Sequence, residues 1–338
     1  MSKKHMGSQT VYLETPPSII GHACAVGKRE GEGPLADSFD YINIDSYWGE
    51  KTWEKAESAM MKHTFSLAVD KASIAPSTIE YIFAGDLLNQ CTGSTFGLRE
   101  SDVPFFGVFG ACSTMAESLS LAAMAIDGGF ADTTAAVTSS HFCSAERQFR
   151  FPLEYGGQRT PTSQWTVTGS GAVVLAAEGD GPYITHITTG KIKDAGITDA
   201  NNMGAAMAQS AYDTLSAHFA DTGFSPNDYD MIVTGDLGAV GHSIVIDFFK
   251  KDGIDLSPNY NDCGLMIFSR EEQQVNAGGS GCGCSASVLT GYLLNGMHAG
   301  RWNRILFAAT GALMSPTSSQ QGESIPGICH AVAISNTK

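Results

Sequence analysis

The sequence has no run of about eighteen apolar residues, the length a bilayer core demands, so no membrane-spanning helix is expected. Its start, "MSKKHMGSQTVYL", lacks the apolar signal core of roughly 7 to 15 residues, and residence on the cytoplasmic side is the expectation. Positive charge is scarce. Twenty Lys and Arg against 35 Asp and Glu leave a formal charge of −15. A phosphate backbone needs a basic face, which argues against nucleic acid as a partner. Docking on an anionic membrane by charge alone is disfavoured for the same reason. Paired C-x₂₋₄-C spacings are missing too. The tightest cysteine pair is Cys282-Gly283-Cys284, which suits zinc poorly. Eight cysteines in 338 residues make no disulfide framework and are expected as free thiols.

What is present is apolar and glycine-rich: 43% hydrophobic residues and 38 glycines, the mark of a compact chain with many tight turns. The length exceeds what most single cores support, which points to two domains or a duplicated one. The chain repeats itself. "APSTIEYIFAGDLL" (Ala75 to Leu88) matches "SPNDYDMIVTGDLG" (Ser225 to Gly238) at an offset of 150, with Asp86 on Asp236. "GACSTMAESLSLAAMAIDGG" from Gly110 matches "CGCSASVLTGYLLNGMHAG" from Cys282 at an offset of 172, with Cys112 on Cys284. At this second offset Cys91 falls on Cys263, Asn89 on Asn261 and Phe96 on Phe268. The difference of 22 residues is expected as one amphipathic helix and turn, "HSIVIDFFKKDGIDLSP", inserted before Cys263. Each copy reads as helix, buried strand, Cys-bearing loop, helix and closing strands. Helices are expected at about 53–71 and 203–219. The alternation defines an α/β fold with helix-covered sheets.

Two turns carry the thiols of interest. "VFGACSTMAESLSLA" puts Cys112 at the opening of a helix. The positive end of the macrodipole lowers a thiol pKa there and makes it nucleophilic; the alternative is a small thiol packed between helices. "VNAGGSGCGCSAS" (residues 275–287) puts Cys282 and Cys284 in a glycine-rich loop. That loop reads as a metal clip, a redox pair, a catalytic cusp or small fillers in a bend.

A duplicated α/β half with a Cys at the mouth of the buried helix resembles the thiolase superfamily, which includes the ketoacyl-acyl-carrier-protein synthases. "TVTGSGAVVLAAE" is similar to the closing-strand signature of those enzymes. The resemblance implies a thiolase-like five-layered α-β-α-β-α fold made of two duplicated halves, residues 17–180 and 181–338. Residues 1–16 are then expected as a flexible tail. It also implies a homodimer, and Cys112 in the place of the nucleophile. The family's catalytic His falls on Gly235, beside Asp236, and its Asn falls on Cys282; His242 comes too late in the chain. Each missing donor costs about 10² to 10³ in rate, so condensation chemistry is not expected. The Gly281-to-Cys284 turn then reads as a catalytic turn rewritten with small, weakly polar side chains, and the metal clip as the poorer account.

Three longer phrases, "TVYLETPPSIIGHACAVGKREGEGPLADSFD", "SSHFCSAERQFRFPLEYG" and "YNDCGLMIF", resemble a family of stage V sporulation proteins within that superfamily. This implies uptake of dipicolinic acid (pyridine-2,6-dicarboxylate), free or as its calcium chelate, into the developing bacterial spore. It implies a place peripheral to the inner spore membrane, on its cytoplasmic side, with other proteins of the same uptake complex as partners. No cofactor is expected, with calcium entering only as part of the dipicolinate complex. No metal-ligand set is assigned. The expected ligand-binding residues are Cys112, His141, Asp236, Asp262, Cys263, Cys282 and Cys284. Arg147, Arg150 and Arg159 are candidate cations near His141 in sequence, though an ordinary surface position suits each better. The alternative function is an active acyltransferase or condensing enzyme that uses Cys112. A scaffolding subunit without a ligand is the third reading.

Overall fold

The structure is a computed structural model that describes residues 4–149 and 158–338, so Arg150 lies outside the described residues. Its ten principal strands fall into two sets with one order. β1 (Ser18–Gly27), β2 (Tyr81–Gly85), β3 (Phe105–Gly107), β4 (Thr133–Ser140) and β5 (Gly169–Ala176) lie side by side as β3-β2-β4-β5-β1. β6 (Tyr183–Thr188), β7 (Met231–Thr234), β8 (Tyr260–Asp262), β9 (Arg304–Ala312) and β10 (Gly327–Ser335) lie as β8-β7-β9-β10-β6. In each set the first three strands are parallel and the last two antiparallel. The sets meet at one antiparallel pair, Ser18 with Tyr183.

Helices sandwich and separate the sheets. α1 (Trp53–Ala72) starts where the Thr52 side chain accepts the Lys55 N–H. With α2 (Thr92–Leu98) it covers the outer face of the first sheet. α3 (Thr114–Asp127) lies between the sheets, and α4 (Phe142–Phe149) follows β4. α5 (Met203–Thr222) and α6 (Gly238–Lys251) cover the second sheet. α7 joins α3 in the middle layer; it runs from Cys282–Ser287 through a π-helical stretch, Val288–Leu293, to Leu294–His298. Three apolar clusters fill the spaces. The central one packs Met115 and Leu119 of α3 and Leu289 and Leu293 of α7 against Val173, Phe307 and Val332 of the sheets. The outer two lie under α1 and under α5. The result is the five-layered α-β-α-β-α fold of the thiolases.

The registers correct the placement of the extra residues. Ile82 on β2 faces Phe105 on β3, and Ile232 on β7 faces Tyr260 on β8, so the offset at this point is 155. Five of the 22 residues therefore belong to the stretch containing α6, the longer counterpart of α2. The other 17 lie between β8 and Cys284. Cys91, ahead of α2, is thus no counterpart of Cys263, which follows β8. The sequence match at offset 172 ran through this loop because no gap was placed in it.

The expected flexible tail is also corrected from Lys4 onward. Thr10–Tyr12 pairs antiparallel with β6. The Asp221 carboxylate accepts the N–H groups of Ser8, Gln9 and Thr10 at 2.8–2.9 Å. Asp127 takes Lys4 Nζ and the Thr15 N–H at its two oxygens. Partial burial works against the Asp221 charge, but the N–H groups outweigh it and hold this carboxyl below the usual range. Replacing Asp221 with Ala removes the three bonds together. The expected cost is on the order of 1–3 kcal/mol, with amide exchange accelerated at Thr10–Tyr12 ahead of β6. Unchanged exchange there would show that strand pairing alone holds the segment.

Candidate functional site

The site forms where two matching turns meet. Cys112 lies in a tight turn ahead of α3, with Ala111 in the left-handed region at φ 50°. A non-glycine residue there is sterically costly and persists only where its surroundings enforce it. The turn is held locally. Ser113 Oγ donates to the Gly110 carbonyl at 2.7 Å and Thr114 Oγ1 to the Ala111 carbonyl at 2.6 Å. Gly311 of β9 lets the turn approach; a Cβ there would stand 2.3 Å from the Gly110 oxygen.

The second turn, Ser280-Gly281-Cys282, opens α7, with Gly281 at φ 98°. Asp236 holds the second turn beside the first. It is fully buried at the end of β7. Its Oδ2 accepts Gly281 N–H at 2.8 Å and Ser280 Oγ at 3.1 Å, and its Oδ1 accepts Thr310 Oγ1 at 3.0 Å. The Cys112 thiol is an electrostatic neighbour of the same carboxyl. Gln164 Nε2 donates to the Asp236 carbonyl at 2.6 Å and to the Gly279 carbonyl at 2.7 Å.

The electrostatics reverse the expectation for Cys112. Burial first, then the neighbouring Asp236 charge, push the thiol well above its ordinary value. A helix N-terminus lowers a thiol pKa, but here desolvation and a carboxylate oppose it. Asp236 is itself pushed up to about 7, chiefly by burial. Both shifts oppose the formation of a Cys112 thiolate.

A cavity of about 60 Å³ opens at Cys112. Leu87, Phe109, Phe149, Met203 and Met314 give it apolar walls, and Ala111, Ala145, Ala200 and Ala312 fill between them. Its polar lining is Cys112, Ser280, Thr166 and Glu146. Cys282 packs with Cys112, Leu87 and Ala145 behind this wall, its thiol donating to the Ser139 carbonyl at 3.0 Å.

The other expected residues divide. Cys284 and Cys263 lie in the central core, and the Cys284 thiol points to the Gly235 carbonyl at 3.8 Å. Cys282 and Cys284 therefore aim at different carbonyls and do not converge as a clip or a redox pair. Asp262 is a helix cap: it accepts Thr234 Oγ1 and the Leu237 N–H at Oδ2, and the Gly238 N–H at Oδ1. His141 stands away from the cavity. Its Nδ1 accepts the Cys143 N–H at 3.2 Å and its Nε2 donates to the Ser46 carbonyl at 2.8 Å, which uses both ring nitrogens. Arg147 pairs with Glu54 over the Trp53 ring. Arg159 meets the cavity-lining Glu146 at 3.1 Å.

Sequence reasoning missed Glu146, Thr166 and the apolar wall. Ala145, Glu146 and Phe149 share one helical face, spaced i, i+1, i+4, and that spacing was the available signal.

The architecture matches solved thiolase-fold enzymes. The 3-oxoacyl-[acyl-carrier-protein] synthase III of Aquifex aeolicus superposes with a TM-score of 0.57 at 14% identity, covering 94% of this chain and 99% of that one. A Xanthomonas campestris OleA variant gives 0.60 at 16% identity, over 95% and 98%. At such identities the likeness defines the fold: this is a thiolase-fold protein. The family model for stage V sporulation protein AD (SpoVAD) matches residues 7–335. Stage V sporulation protein AD of Bacillus subtilis (strain 168) is 45% identical over 329 residues, 97% of each chain. The chain belongs to the stage V sporulation protein AD family.

The raised Asp236 pKa has a stability consequence. In the unfolded chain the carboxyl ionises near 4, so between about pH 4 and 7 the folded state binds the extra proton. Stability from this group is therefore lost as pH rises through that window. Relative to Asp236→Asn, the wild type should lose about 1.4 kcal/mol per pH unit between roughly pH 5 and 7. Denaturant midpoints of the two proteins measure the difference, and parallel curves would show that Asp236 is already ionised at pH 5.

Proposed function

We propose that the chain is a non-catalytic thiolase-fold protein that binds dipicolinate for its uptake into the developing spore. The observation that carries this reading is the burial of the Cys112 thiol beside the buried Asp236 carboxyl. A condensing enzyme needs a nucleophile and donors for the thioester oxygen at this place. Here the thiol is kept protonated, and the hydroxyl and N–H donors around it are spent on Asp236. What is left is a cavity in front of a silent thiol. Its apolar walls suit a flat ring, and the Thr166 and Ser280 hydroxyls lie on its surface.

The acids expected to suit a calcium complex are occupied: both oxygens of Asp236 and both of Asp262 accept protein hydrogen bonds. Free dipicolinate is therefore the favoured ligand, with no further cofactor. Among the described residues no helix is long and apolar enough to cross a membrane. A place at the inner spore membrane then rests on other proteins of the uptake complex. The homodimer suits the outer edge of β3, which exposes Phe105 and Phe106. An edge strand pairs with its own copy about a two-fold axis.

Calorimetry with dipicolinate, with and without calcium, tests the reading. Saturable binding is expected, weakened at least about tenfold when the half-buried Ala200 is changed to Phe and fills the cavity. No heat in either condition would reject it. Incubation with acyl-coenzyme A should leave Cys112 unmodified by mass spectrometry; a thioester there that turns over would establish the acyltransferase instead. Phe106→Asp should convert a dimer to a monomer in sedimentation, and a monomeric wild type would remove the dimer from this account.

A further inference from the structure

One member of a charged pair lines the Cys112 cavity and the other meets it there, a position that suits discrimination better than stability. Glu146 is buried on α4 and faces the cavity. Its Oε1 accepts Thr166 Oγ1 at 3.1 Å and meets Arg159 Nη2 at the same distance. The Arg159 side chain is only 20% exposed. Its Nη1 donates to the Gln164 carbonyl at 2.8 Å, and its guanidinium lies 4.6 Å from the Trp165 ring centre and 5.4 Å from that of Phe142. Gln164 in turn holds the Asp236 and Gly279 carbonyls, so Arg159 is fixed to the frame of the site.

Desolvating both partners of a buried ion pair offsets most of their attraction, and an apolar pair of similar volume often serves stability as well. Glu146 lies in a wall that is mostly apolar. Among the described residues Glu146 is the charged side chain lining the cavity, and Arg159 pairs with it. A guanidinium held rigidly by a backbone carbonyl and two rings is arranged to take a carboxylate.

We infer that the Glu146–Arg159 pair selects the ligand's charge: Arg159 is the counter-ion for a ligand carboxylate, and Glu146 occupies it until the ligand arrives. The inference rests on the dipicolinate reading. Binding is then an exchange of carboxylates on one guanidinium. Glu146 turns from Arg159 as the ligand's carboxylate takes its place, with no proton or bond transferred. Neutral aromatics of the same shape cannot make this exchange and gain only the apolar walls.

The test compares dipicolinate with its neutral analogue pyridine-2,6-dimethanol on the full chain by calorimetry. Glu146→Gln removes the competing anion and keeps an acceptor for Thr166. It should tighten dipicolinate at least several-fold and leave the dimethanol unchanged. Arg159→Gln should weaken dipicolinate at least about tenfold. Arg159→Lys, which keeps the charge, should recover part of that loss, and melting curves identify any variant that has not folded. If the wild type binds dipicolinate and Glu146→Gln leaves the affinity unchanged or weakens it, the exchange is wrong while the binding function stands. If the wild type binds no dipicolinate, both fall together.

Discussion

The site depends on one buried carboxyl. Asp236 ties the Gly281 turn and β9 together beside the Cys112 turn, and these hydrogen bonds cross between different segments of the chain. A carboxyl with no water around it is costly to ionise, and so is a thiol pressed against it. The cheapest state keeps the proton on the thiol. The same constraint that braces the two turns therefore silences the nucleophile. A histidine in this region would favour the thiolate; a carboxyl opposes it.

The duplication explains why such a junction exists. Two halves with identical strand order place their Cys-bearing turns face to face, and the middle helices α3 and α7 start there. Cys112 and Cys284 are repeat twins but have different fates. Cys112 borders the cavity, whereas Cys284 is packed into the central core. The stretch between β8 and Cys284, 17 residues longer than its counterpart, contains Gly279 and Ser280, which pair with Trp165 and Thr166. That short pairing carries Thr166 and Ser280 to the cavity wall and positions Gln164 on Asp236. The asymmetry of the halves is thus what shapes the pocket.

Most of the architecture was legible in the sequence, because buried strands bounded by glycine and helices that stop at glycine leave strong local patterns. "YIFAG", "MIVTG" and the helix after Cys112 fold as their periodicity required. The site was legible only in part. Cys112, Asp236 and Cys282 were found together because motif alignment carries them. His141 and Asp262 were misplaced. Whether a polar side chain faces a cavity or caps a backbone depends on contacts between distant segments, such as His141 with Ser46. Glu146 was missed for the same reason: its partners Thr166 and Arg159 come from another part of the chain. The docking of Lys4 to Thr15 was invisible because it rests on Asp221 and Asp127, neither of which marks the segment locally.

The most direct test of this account is the ionisation state of the Cys112 thiol. Carbon-13 labelling at cysteine Cβ lets its chemical shift be followed against pH without a reagent having to enter the cavity. The account predicts a thiol signal that stays unchanged up to pH 9, and a lower titration midpoint in Asp236→Asn. A Cys112 that titrates near pH 7 in the wild type would contradict it and restore the nucleophile.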